Sequence, residues 1–333
     1  MPPRAEPRSR ILGTGHFLPP VVRTNLDLER MVETSDSWIR DRTGIRERRI
    51  APPGMVTSDM ATEAARRALE AASLRPTDVD MIVVGTITPD MPMPATAAFV
   101  QQKLGATPTC PSFDISAACA GFIYGLSIGD KFIAAGAAKN VLVIGVEMLS
   151  RVVNWEDRTT CVLFGDGAGA VVLGPANGDG RGILATQLFT DGALSRSLMI
   201  PGGGTETPPG PDVMAQKMNT IQMRGQDIFK AAVKNLHSAS QRVVDAAGYK
   251  NEDVDWVVPH QANLRIIDQV TQRAKYPKEK VLTNIDRVGN TSSASIPILL
   301  DESIRAGKIK DSDIVLCCAL GAGVSWGAAL LKM

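Results

Sequence analysis

The chain has 333 residues, 44% of them hydrophobic and 21% charged, which is enough apolar material for one large core or two packed halves. A formal net charge of +1 excludes a global field that would draw it to nucleic acid or an anionic membrane, so an acidic partner has to meet a local patch. Five cysteines without a Cys-x-x-Cys pair, and no apolar run of membrane-spanning length, predict a metal-free protein of the reducing cytoplasm.

Residues 1–10, rich in proline and arginine, read as a loose tail and not as a secretory signal. Ile11-Leu12-Gly13 opens the first strand, and Thr24-Asn25 caps a helix containing Leu26, Leu28 and Met31. The loop-like stretch 34–49 then sets Trp38 among five arginines, either as a solvated surface or as a platform for a planar anionic ligand. Ser58 is expected to cap an alanine-rich helix running to Leu74, ahead of a buried strand over 80–86. Phe113 and Ile115 suit a further strand, which runs into Ser116-Ala117-Ala118-Cys119-Ala120-Gly121, a tight bend of small residues. From Phe122 onward apolar residues occupy every side of a helical wheel, so this helix is expected at the centre of the fold. At its N-terminus, unpaired N–H groups and the helix dipole would favour the Cys119 thiolate. An isolated cysteine is more often a small buried hydrophobe, so this reading needs partners elsewhere in the chain.

The order of elements repeats after about 175 residues. Asp78-Val79-Asp80-Met81-Ile82-Val83-Val84 is echoed by Asp253-Val254-Asp255-Trp256-Val257-Val258-Pro259, each after a long alanine-containing helix, the second over 226–247. Stretches 140–145 and 168–173 have counterparts in 313–318 and 326–331. This predicts two duplicated α/β halves, 11–175 and 176–333, with mainly parallel sheets covered by helices. Gly165-Asp166-Gly167-Ala168-Gly169-Ala170 lacks the helix that a dinucleotide-binding motif requires after it, so it reads as a close-packed turn. The proline- and glycine-rich stretch 201–211 reads as a mobile loop beside the junction. In the second half, His260 follows the strand at 256–258, where a parallel sheet presents functional groups. The bend Gly289-Asn290-Thr291-Ser292-Ser293 stands where the Cys119 bend stands in the first half. Singly, His260 suits a structural histidine and Asn290 a turn. At matched positions, Cys119, His260 and Asn290 are expected to converge between the halves.

These motifs, together with 34–49, Ala117-Ala118-Cys119-Ala120-Gly121-Phe122, Phe164-Gly165-Asp166-Gly167, His260-Gln261-Ala262-Asn263-Leu264-Arg265 and Trp326-Gly327, resemble the β-ketoacyl-acyl carrier protein synthase III family, the initiating condensing enzymes of the thiolase superfamily. The resemblance runs from about Ile11 to Met333. It implies a thiolase-like fold, with the halves stacked as helix-sheet-helix-sheet-helix layers, in a cytoplasmic homodimer. It implies no resident cofactor: an acyl-coenzyme A loads Cys119, and malonyl-acyl carrier protein is then decarboxylated and condensed with the acyl group. His260 and Asn290 would donate to the enolate, and the N–H groups of Cys119 and Ala322 to the tetrahedral oxyanion. Relatives often have glycine where Ala322 stands, but only the N–H is needed.

The resemblance further implies that coenzyme A meets Trp38, Arg42, Arg158 and Asn263, with the adenine between Trp38 and Arg158. Met93, Leu149 and Phe164 would shape the acyl pocket, Met93 from across the dimer interface, and Lys230 and Arg265 would dock the acidic carrier protein. An alternative keeps the acyl-Cys119 step but uses another acceptor in a specialised polyketide, quinolone or long-chain pathway.

Overall fold

The computed structural model describes residues 5–333. Five strands from the first 175 residues lie side by side in the order Ser9–Phe17, Asp166–Pro175, Val141–Met148, Met81–Gly85 and Ser112–Ile115. Four later strands form a second sheet in the order Trp256–Pro259, Ile314–Gly321, Ser325–Lys332 and Gly182–Thr190. The first strand starts at Ser9, so the end of the expected tail joins the sheet, while residues 1–4 lie outside the described residues.

Alternation along the strands sorts their side chains into two layers. Met81, Val83, Val141 and Val143 face a central core shared with Val315, Cys317 and Ala319 of the second sheet. Ile82, Val84, Leu142 and Ile144 face the outer helix Thr57–Ala72, and Ile314, Leu316 and Cys318 face the outer helix Gly225–Ala246. Because both faces are covered, these strands are apolar at every position instead of alternating with polar residues. Between the sheets run the helices Gly121–Ala134 and Ser295–Arg305, whose Phe122, Ile123, Leu126, Ile296 and Leu299 fill the central core. The result is the expected helix-sheet-helix-sheet-helix stack.

Several local expectations change. The sheets are mixed: Met81–Gly85 pairs in parallel with both neighbours, but Asp166–Pro175 and Ser325–Lys332 each run antiparallel to theirs. Each of these two strands follows its predecessor without a crossover helix, which leaves only the antiparallel direction. Residues 166–170 belong to strand and not to a turn. Ser58 is not a cap but lies inside the helix, where its backbone N–H and hydroxyl donate to Asp90 at 2.8 and 2.5 Å. Within 34–49, helix Asp36–Thr43 and strand Glu47–Ile50 replace the expected loop. Arg48 there is fully buried and donates to Val162 O, Asn25 Oδ1 and Arg23 O, so it holds structure together and does not meet a ligand. Stretch 201–210 is irregular, as expected, before a short helix Pro211–Ala215.

Candidate active site

The strand Ser112–Ile115 delivers the chain to the middle of the molecule, where Ala118 takes the left-handed region with φ +45° and a single turn, Ala118–Ala120, leads into helix Gly121–Ala134. The second bend repeats this: Ser292 has φ +50°, and turn Ser292–Ala294 leads into helix Ser295–Arg305. The two bends pack back to back, so closely that a Cβ on Gly145 would lie 2.2 Å from the Ser293 carbonyl oxygen. Register makes Ser293 the counterpart of Cys119. Asn290 stands two residues before the left-handed residue, and its counterpart is Ser116.

Cys119 is buried at one end of a cavity of about 240 Å³, lined by Ile87, Leu149, Phe164, Ile200 and Ile221. Ala118, Ser292 and Ala322 complete the wall beside the sulfur. The expected thiolate is corrected here: burial pushes the thiol up to about 12, against a hydrogen bond from Ser292 that favours the charged form. The helix end offers partial charges only, whereas the apolar wall removes the water that would solvate a full one. Leu149 and Phe164 therefore sit where the acyl pocket was expected. Met93 does not: it is 83% exposed and outside this cavity.

His260 follows strand Trp256–Pro259, and its backbone N–H donates to Cys318 O at 2.8 Å. Its Nδ1 lies 2.6 Å from Ser295 Oγ, which also accepts from the Gln261 N–H at 3.3 Å. The Ser295 hydroxyl proton is thereby directed at Nδ1, which assigns the ring proton to Nε2. Burial pushes the ring's pKa down to about 3, so His260 is neutral.

Asn290 is fixed by main-chain bonds to Leu163 O and from the Gly165 N–H. Its Oδ1 accepts from the Ser292 N–H at 2.8 Å, which orients the amide and leaves Nδ2 facing Ala262 O at 3.5 Å, a weak contact. Since the Ala262 N–H donates to His260 O, the Asn290 amide touches the turn that carries His260. On the opposite side, a Cβ on Gly321 would lie 2.6 Å from Cys119 N, so Gly321 sets the turn Ala322–Val324 directly against the cysteine backbone.

Glu147 was not singled out, although it is the only charged residue in strand Val141–Met148, which was a readable signal. It is fully buried. Thr88 and Thr86 donate to Oε2 at 2.6 and 3.3 Å, the Ile87 N–H donates at 3.2 Å, and Ser292 donates to Oε1 at 3.2 Å. Burial raises its carboxyl to about 7, against these hydrogen bonds.

At the surface, Trp38 projects from helix Asp36–Thr43 between two cations. The Arg42 and Arg158 guanidinium carbons lie 4.5 and 5.3 Å from its ring centroid, and Arg158 also donates to Glu33 O. Arg42, Asn263, Arg265 and Phe229 line one cleft, and Phe229 with Lys230 lines the next. Asn263 spends its Oδ1 capping helix Leu264–Arg273, which leaves Nδ2 free for a ligand. Among the described residues, no group of three or more His, Cys, Asp or Glu could hold a metal ion.

A family model for 3-oxoacyl-[acyl-carrier-protein] synthase III matches residues 113–192, and the model for its C-terminal part matches 244–333. The chain is 52% identical, over 97% of both chains, to a protein of Caldanaerobacter subterraneus subsp. tengcongensis named beta-ketoacyl-[acyl-carrier-protein] synthase III. The crystal structure of 3-oxoacyl-[acyl-carrier-protein] synthase III from Aquifex aeolicus matches with a TM-score of 0.90 at 48% identity, covering 98% of this chain and 100% of that one. The priming β-ketosynthase of the R1128 polyketide biosynthetic pathway matches at 0.91 and 33% identity, covering 100% and 98%.

Proposed function

The chain belongs to the β-ketoacyl-[acyl-carrier-protein] synthase III family, and from that premise we propose how its own residues carry out the condensation that initiates fatty acid biosynthesis. The enzyme is an acyltransferase of the condensing type, with an acyl-coenzyme A and malonyl-acyl carrier protein as substrates. Cys119 takes the acyl group as a thioester, and coenzyme A leaves. Malonyl-acyl carrier protein then loses CO2, and its enolate is held by His260 Nε2 and Asn290 Nδ2 while it attacks the acyl carbonyl. The N–H groups of Cys119 and Ala322 receive the oxyanion of each tetrahedral intermediate.

One observation carries this reading: a buried cysteine at the end of an apolar cavity, beside a turn carrying a neutral histidine and an oriented amide, each with a donor left to offer. A neutral His260 is the form the decarboxylation needs, because a donor without a proton to lose can stabilise an enolate and not quench it. The exposed arginines and Lys230 around Trp38 and Phe229 support coenzyme A entry at Trp38, Arg42, Arg158 and Asn263, and carrier-protein docking on Lys230 and Arg265. Met93, 83% exposed, supports a homodimer in which a second copy covers this side chain. Among the described residues no helix is long and apolar enough to cross a membrane. Five free, buried cysteines support a reducing cytoplasm. The chemistry calls on no resident cofactor.

The test is intact-protein mass after incubation with acetyl-, isobutyryl-, hexanoyl- and longer acyl-coenzyme A, for wild type and Cys119→Ser, followed by malonyl-acyl carrier protein. An adduct on wild type alone, discharged as a ketoacyl-carrier product, is expected. The likeness to a priming polyketide ketosynthase favours a second reading, in which the same acyl-Cys119 serves a specialised pathway. An adduct that malonyl-acyl carrier protein cannot discharge would select a different acceptor, and no adduct with any primer would overturn both.

A further inference from the structure

Acylation of Cys119 needs a proton acceptor, because the buried residue rests as a thiol. His260 cannot fill that role. Its Nδ1 already accepts the Ser295 hydroxyl, and its Nε2 carries the ring proton. Asn290 does not titrate. What touches the sulfur is Ser292, which lines the cavity beside Cys119 and hydrogen-bonds its side chain. Ser292 Oγ in turn donates to Glu147 Oε1 at 3.2 Å.

The polarity of this chain is set by its far end. Thr88 Oγ1 accepts from the Met148 N–H and Thr86 Oγ1 from the Thr88 N–H, so both hydroxyl protons point to Glu147 Oε2. The Ile87 N–H also donates to the carboxyl. A carboxyl that only accepts is a carboxylate in the resting enzyme. We propose that Ser292 and Glu147 form the proton relay of Cys119: Glu147 takes the thiol proton through Ser292 during acylation and returns it during condensation. This rests on the reading of Cys119 as the acylated nucleophile.

The step balances as follows. As the Cys119 sulfur pair forms the S–C bond, the S–H proton moves to Ser292 Oγ, and the Ser292 proton moves to Glu147 Oε1. The carbonyl C–S bond of the acyl-coenzyme A breaks with its pair on the coenzyme A sulfur, which leaves as a thiolate and takes a proton from bulk water. In condensation the enolate carbon attacks the acyl carbonyl, and the C–S bond to Cys119 breaks with its pair on sulfur. Glu147 then returns its proton through Ser292 and restores both resting groups. An electrostatic gain follows. Glu147 is neutral throughout the life of the acyl-enzyme, so no buried carboxylate opposes the enolate when it forms.

No other charged group intrudes on the relay. Across the strand pair, Asp166 is engaged by the Ala51 N–H, the Ser150 N–H and the Ser150 hydroxyl. Toward the bends, Glu147 meets Cys119 and Ser292, and on the remaining side Thr86, Ile87 and Thr88. Glu147 and Cys119 raise one another's cost of ionising, so they carry a single negative charge between them.

The experiment compares wild type, Glu147→Gln and Ser292→Ala, and reads the rate of Cys119 alkylation by iodoacetamide across pH, with melting temperature as a fold control. Iodoacetamide needs the cysteine proton removed but not coenzyme A recognition, so this readout stays separate from the substrate reading. In wild type the rate should rise through an inflection near the Glu147 titration at about 7. Both variants should be slower at pH 7 by roughly a hundredfold or more, without that inflection and with a rate that climbs steadily toward high pH. Ser292→Ala keeps its backbone bond to Asn290 and leaves Glu147 in place, so it tests the relay even where Glu147→Gln folds poorly. A wild-type inflection retained in folded Ser292→Ala would overturn the proposal. So would a wild-type profile with no inflection near neutrality.

Discussion

Replacing Asn290 with aspartate separates the two half-reactions with the change of one atom. Oδ1 keeps the Ser292 N–H at 2.8 Å, so the bend that shapes the site survives. The second oxygen replaces Nδ2 opposite Ala262 O at 3.5 Å, which removes a donor from the enolate site and puts two acceptors face to face. Loss of one such donor costs about 10²–10³ in rate, and the carboxylate adds repulsion of the enolate, so Asn290→Asp should lower condensation by about 10³ or more, or about 4 kcal/mol. Acylation does not form that enolate and should stay within about tenfold. Quench-flow measurement of the coenzyme A burst reports acylation, and CO2 release from pre-acylated enzyme on adding malonyl-acyl carrier protein reports condensation. Condensation within about tenfold of wild type would refute the role of Nδ2, and an equal fall in both steps would assign Asn290 to the shape of the bend alone.

Gly321→Ala should depress both half-reactions together, because its Cβ would fall 2.6 Å from Cys119 N and displace the N–H that both tetrahedral intermediates need. A melting curve should register about 1–3 kcal/mol of overpacking. Ala322→Gly, which keeps its N–H, should remain within a few-fold of wild type in the same burst assay. Trp38→Ala should weaken acyl-coenzyme A binding by about 1–3 kcal/mol, the worth of one base stacked on an aromatic ring, while acylation by a short N-acetylcysteamine thioester, which has no adenine, stays unchanged. Calorimetry of the first and burst kinetics of the second check the pair. Stability should also track the Glu147 carboxyl. Its folded pKa is raised from 4.5 to about 7, so its contribution is complete below about pH 4.5 and disappears as pH rises through 7. The effect is worth about 3 kcal/mol, and chemical melts between pH 5 and 8 should lose that slope in Glu147→Gln.

The duplicated plan could be read from the chain because it is written in local pattern. Two bends of small residues, each ahead of an apolar helix, and two fully apolar strands per half need no knowledge of distant contacts. That pattern brought Cys119, His260 and Asn290 to one seam. It did not give the register, since Asn290 and Cys119 match only to within a few residues of their left-handed turns, Ser292 and Ala118. Strand direction also escaped it: apolar strands are alike in parallel and antiparallel pairs, and only the missing crossover helices before Asp166–Pro175 and Ser325–Lys332 decide.

The protonation of the nucleophile escaped for a deeper reason. A helix N-terminus is local and argues for a thiolate, whereas the desolvation that overrules it comes from Ile87, Leu149, Phe164, Ile200 and Ile221, spread over more than a hundred residues. Glu147 is the converse case. A lone acid in an apolar strand marks itself in the sequence, but its partner Ser292 lies 145 positions away and is met only when the two bends pack back to back. A buried thiol and a buried acid would each be a cost in isolation. Joined through one hydroxyl, they need only one charge between them, and that charge can move to whichever atom the current half-reaction requires.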